Sequence, residues 1–186
     1  MSRAACVLAA VGGLASLTTS LEAATFTYTA PNSTTTNTWA SPSTGWSATP
    51  ASAVDTTLVF AGSFSSGFTA TSQDNIAGAF QLNALTLNAS NSGTFTAANY
   101  NVTAAAGTNT LNFINNGATA AVVNLSSNNG GNGANINTTV SINATIDGGS
   151  LTFQGNGSGG STVNNGFAYS GILSDGATAA RAASSG

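Results

Sequence analysis

Leu85-Thr86-Leu87, closed shortly afterwards by Asn91-Ser92-Gly93, is the stretch on which the fold turns. Apolar–polar–apolar alternation sends one set of side chains inward and the other outward, as in a short half-buried strand. Asn and Gly accept the backbone angles of tight turns, so the strand has a defined end. The unit recurs as Tyr100-Asn101-Val102, Leu111-Asn112-Phe113, Val123-Asn124-Leu125, Val140-Ser141-Ile142 and Leu151-Thr152-Phe153. Between these units lie Asn115-Asn116-Gly117, Asn128-Asn129-Gly130-Gly131, Asp147-Gly148-Gly149 and Gly155-Asn156-Gly157. No helical apolar period competes after the first residues, and Thr, Val, Ile and Phe outnumber the strong helix formers.

Starts of successive triplets lie 15, 11, 12, 17 and 11 residues apart, and every second one 26, 23, 29 and 28 apart. Repeats of that length without intervening helices predict an all-β right-handed parallel β-helix whose coils carry two or more strands each. A β-sandwich is the alternative: it too has short strands with regular turn signals, and Asn116-Gly117 suits an antiparallel hairpin. Two features favour the solenoid. Only 4% of the 186 residues are charged. The polar member of each triplet is Asn, Thr or Ser, which can form ladders from coil to coil.

The first residues read as an export signal spanning 1–23. Arg3 supplies the positive start, Ala4 to Leu17 the apolar stretch, and Leu21-Glu22-Ala23-Ala24 a small-residue cleavage site. The apolar run is too short to span a bilayer. Cleavage after Ala23 leaves 163 residues with Arg181 as the sole base and Asp55, Asp74, Asp147 and Asp175 as the acids. That remainder contains no Cys, His, Lys or Glu. Disulfides are therefore excluded, as are zinc sites of thiolate or imidazole and nucleophilic catalysis with a His or Lys base. No basic patch is available to neutralise nucleic-acid phosphates, and no integral membrane segment is expected after cleavage. No cofactor fingerprint is present: the Gly-rich run 155–160 is not followed by a helix.

Residues 24–60 differ from the rest, with Trp39, Trp46, Pro50 and Asp55 ahead of Leu58-Val59-Phe60. A solenoid needs such a segment to cap its first coil. The second reading of Trp39 and Trp46 is a stacking platform for carbohydrate. Residues 61–175 would form the repeats and 176–186 a tail resembling a loop cut off between coils. Asp147 and Asp175, about one coil apart, are the candidates for a carboxylate pair in a polysaccharide-acting enzyme. Each also stands beside a glycine, as turn residues do. Seven Asn-x-Ser/Thr sequons, at Asn32, Asn88, Asn101, Asn124, Asn137, Asn143 and Asn156, follow from the composition, with 22 Asn among many Ser and Thr.

The opening Trp39…Trp46-Ser47…Pro50…Asp55…Phe60, followed by Asn/Thr/Gly-rich triplets, resembles the autotransporter-associated β-strand repeat proteins of bacteria. Asn135-Ile136-Asn137-Thr138-Thr139-Val140-Ser141-Ile142 and Tyr169-Ser170-Gly171-Ile172-Leu173-Ser174 are similar to that family's rungs. The resemblance covers most of 25–175. It implies a right-handed parallel β-helix and a secreted or cell-surface, passenger-like role, structural or adhesive, with no catalytic residues to carry over. A surface polysaccharide and self-association through an exposed β edge are the expected partners. The chain departs from the family in lacking a Lys-Thr-Gly-x-Gly repeat and a C-terminal barrel pattern, which makes a fragment of a longer product the expectation.

Overall fold

The computed structural model describes residues 23–40, 44–125, 135–155 and 166–176. The export-signal reading of 1–23, except Ala23, and the tail after Gly176 lie outside the described residues. So do the turns at Asn128–Gly131 and Asn156-Gly157.

The described chain is all-β, a right-handed parallel β-helix of about four turns. Its strands are β1 (Thr25–Thr29), β2 (Thr35–Thr38), β3 (Thr57–Phe64), β4 (Thr69–Asp74), β5 (Ala79–Leu82), β6 (Ala84–Asn91) and β7 (Ala97–Ala104). They continue as β8 (Thr110–Ile114), β9 (Ala121–Leu125), β10 (Asn135–Val140), β11 (Ala144–Asp147), β12 (Leu151–Gly155), β13 (Phe167–Tyr169) and β14 (Leu173–Asp175). Three sheets wall the solenoid: β1-β3-β6-β9-β12, β2-β4-β7-β10-β13 and β5-β8-β11-β14. Every ladder between these strands is parallel, which excludes the sandwich.

The sequence-derived spacing needs one correction. Each complete coil has three strands, so the triplets at 85 and 100 stack on the third one along, at 123 and 140, and only those at 123 and 151 stack as second neighbours, because β11 between them carries no triplet. Leu85 pairs with Val123, 38 residues on, whereas Leu111 pairs with Ala144. Other coils advance by fewer residues: Thr57 pairs with Ala84, 27 on. The third wall is uneven in sequence: β5 carries the apolar–polar–apolar unit Phe80-Gln81-Leu82, whereas β11 begins on the small Ala144.

Alternation makes the walls work. Along β3 the buried residues are Leu58, Phe60, Gly62 and Phe64; along β6 they are Leu85, Leu87, Ala89 and Asn91. Parallel register lines these residues up into inward columns, such as Phe26–Leu58–Leu85–Val123–Phe153 and Tyr28–Phe60–Leu87–Leu125. A coil alone cannot cover its inward residues, so each neighbour supplies the missing apolar surface.

Corners are set by local chemistry. The Asn91 Oδ1 accepts from the Gly93 backbone N–H at 2.8 Å, turning the chain after β6. At Gly93 a Cβ would fall 2.1 Å from the Ser65 carbonyl oxygen of the preceding coil, so the corner fits only glycine. Asn116-Gly117 does turn, with Gly117 at φ 57° and Asn116 bridged to Thr119. It joins β8 to β9 in a different wall, so the turn is a corner of the solenoid, as expected, and not the hairpin of the sandwich alternative.

Candidate functional site

Both tryptophans lie inside. Trp39 follows β2 and has no exposed surface; its indole Nε1–H donates to the Ser72 Oγ at 3.0 Å, and its backbone N–H donates to the Gln73 carbonyl at 3.1 Å. The Trp46 ring lies 5.6 Å from that of Trp39 and 5.4 Å from that of Tyr28. Trp39 also meets Phe80 edge to face at 5.4 Å, and Trp46 meets Phe60 at 5.5 Å. Such offset and edge-on arrangements add to the energy of area burial.

Residues 45–47 run antiparallel along the outer edge of β1. The Thr29 N–H donates to the Gly45 carbonyl and the Ser47 N–H to the Thr27 carbonyl, each at 2.8 Å. Further on, the Ala53 N–H reaches the Gln81 carbonyl at 3.2 Å, laying residues 51–53 against β5. The N-terminal end is thus plugged by aromatic rings and its edge is paired. The expectation of a sugar platform at Trp39 and Trp46 is corrected here: both rings are spent inside the core and offer no face for stacking on a pyranose.

The acids do not converge. Asp175 pairs with Ile146, while Gly176 takes the place beside Asp147 by donating its N–H to the Ile146 carbonyl at 2.9 Å. Alternation therefore turns Asp147 and Asp175 to opposite faces of neighbouring coils, and they do not form a facing dyad. Asp55 stands at the turn before β3. Among the described residues no group of three or more His, Cys, Asp or Glu stands together.

Asp74 is a finding of the structure. Fully buried at the end of β4, it accepts the Ile76 N–H on Oδ1 at 2.9 Å, and its Oδ2 is buried without a hydrogen-bond partner. Burial pushes its carboxyl up to about 6, against a smaller opposing effect of the Ile76 bond. Nothing in the sequence flagged it, because β4 (Thr-Ala-Thr-Ser-Gln-Asp) lacks any large apolar residue to reveal its inward set. Two tyrosines share this interior. The Tyr100 phenol is raised by burial and then by the neighbouring Tyr28. The Tyr28 hydroxyl, also raised by burial, accepts from the Asn37 Nδ2 at 3.0 Å.

The outer wall formed by β2, β4, β7 and β10 is the most regular polar surface. Its outward register columns include Thr69–Asn99–Asn137 and Thr71–Asn101–Thr139. The Asn137 Nδ2 donates to the Asn99 Oδ1, and the Asn99 Nδ2 donates to the Thr69 Oγ1, both at 3.4 Å. On the third wall the Thr145 Oγ1 donates to the Asn112 Oδ1 at 2.8 Å. The sequence-derived expectation of polar ladders thus takes physical form on two walls.

No protein-family model, curated protein or solved structure matches this chain. Among the described residues no helix is long and apolar enough to cross a membrane.

Proposed function

We propose that the chain is a non-catalytic, exported β-solenoid scaffold acting outside the cell or at its surface, in the manner of autotransporter passenger repeats. The observation that carries this reading is the plugged N-terminal end followed by side-chain columns that stay in register from coil to coil. Rings of Tyr28, Trp39, Trp46 and Phe60 close one end. From there the inward apolar columns and the outward Asn/Thr ladders run coil to coil, as in a unit that lengthens by adding coils. The resemblance of 25–175 to bacterial repeat proteins and the signal-like residues 1–23 support export. On the last described coil Phe153, Ile172 and Leu173 are exposed, which supports self-association through that edge.

Two measurements test the reading. Expressed with its native N-terminus in a bacterial host, the protein should appear outside the cytoplasm beginning at Ala24, as read by N-terminal mass spectrometry. Recovery only from the cytoplasm, with Met1 to Ala23 retained, would contradict export. Sedimentation over a range of concentrations should show association that weakens in Phe153→Asp.

A further inference from the structure

We propose that the outer face of the β2-β4-β7-β10 wall binds a neutral polysaccharide, with the polymer lying along the solenoid axis across successive coils. A scaffold needs no ligand, so this goes beyond the structural role.

The face is built from two adjoining columns, Thr69–Asn99–Asn137 and Thr71–Asn101–Thr139. Asn99 and Asn137 are exposed, and their amides are oriented by the two ladder bonds at 3.4 Å. Groups held in place before binding lose less rotamer freedom on contact. No charge stands in either column, so the face offers nothing to an acidic or a basic polymer and complements an uncharged one. The outward rows of the other walls carry larger apolar residues, Val59 and Val122 on one and Ile114 on the other, whereas the apolar residues in the outward rows of this wall are the small Ala97 and Ala168. The third wall has one such polar column, Gln81–Asn112–Thr145–Ser174, whereas this wall sets two side by side.

The same chemistry fixes the size of the ligand. No aromatic ring stands in either column, so a sugar would be held by hydrogen bonds alone. Each such bond exchanges with water for little net gain. Affinity accumulates only through repetition, and the coils repeat their donors and acceptors about every 4.8 Å along the axis. A polymer of hydroxyl-bearing units engages several rungs at once and gains effective concentration at each further rung, whereas a free monosaccharide engages one.

The test uses the full chain, pulled down with microcrystalline cellulose and chitin and electrophoresed through gels containing galactomannan or xyloglucan. The expected result is retention by at least one of these. That retention should be unchanged in 1 M NaCl, resist competition by monosaccharide, and weaken about tenfold or more in Asn99→Ala/Asn137→Ala. Asn88→Ala, on the neighbouring wall, should bind as the parent does. Thr71→Val/Thr139→Val, which keeps side-chain shape, should lose binding while circular dichroism reports an unchanged fold. No retention on any neutral polymer, loss in salt, equal weakening by Asn88→Ala, or capture by ice in place of polysaccharide would overturn the proposal. A monomeric, cytoplasmic protein that still bound would contradict the scaffold reading and leave the binding face standing.

Discussion

Trp39 shows how one residue closes an open structure. Its ring touches those of Trp46, Phe60 and Phe80, and its only polar atom is satisfied by Ser72. Trp39→Ala should cost about 3–5 kcal/mol through the lost burial and the cavity left behind, read as a lower urea midpoint with an unchanged slope. Asp74 carries the opposite lesson, a polar group where the core would favour none. Its folded pKa of about 6 exceeds the ordinary 3.8, so the folded state holds the proton more tightly than the unfolded chain. Stability is then greatest below pH about 4, falls as pH rises from there to about 6, and levels off above. The fall should be on the order of 3 kcal/mol at most. Asp74→Asn should flatten it, and unfolding midpoints at pH 4 and pH 7.5 measure the difference. A parent protein equally stable at both values would show that Asp74 is hydrated rather than buried.

At the scale of strands and corners, legibility in the sequence followed side-chain size. Parts of β6, β7, β8, β9 and β12 were readable because Leu, Tyr, Val or Phe flank a polar residue in each. β2 and β4 were not, since their inward positions are filled by Thr35, Asn37, Ala70, Ser72 and Asp74. Those small and polar residues leave room for the ring cluster: the Trp39 indole bonds Ser72, and the Tyr28 hydroxyl takes the Asn37 amide. The aromatic content of the cap was visible in the chain. That its rings turn inward, removing Trp39 and Trp46 as a sugar platform, depended on contacts between distant residues. Corners give a sharper test. Gly93→Ala would drive a methyl into the Ser65 carbonyl, whereas Gly107→Ala meets nothing within 4 Å. The first should lose about 1–3 kcal/mol, as overpacked sites do, and the second should be close to neutral. Thermal midpoints of the two variants, measured side by side, check this.

Over the whole molecule, long-range register is the organising feature. With no Cys, His, Lys or Glu after residue 23, stability rests on columns of inward side chains, the parallel backbone ladder and uncharged outer rows. Repetition was apparent from the recurring triplets, but not the number of walls, because loops of unequal length hide a three-sided period. The most direct test is a nuclear Overhauser spectrum of labelled protein, read between backbone protons of neighbouring strands. Parallel stacking predicts contacts of residues 84–87 with 57–60 on one side and with 122–125 on the other. Contacts of 85–87 with 111–113 in antiparallel order would contradict the stacked coils and return the chain to two facing sheets.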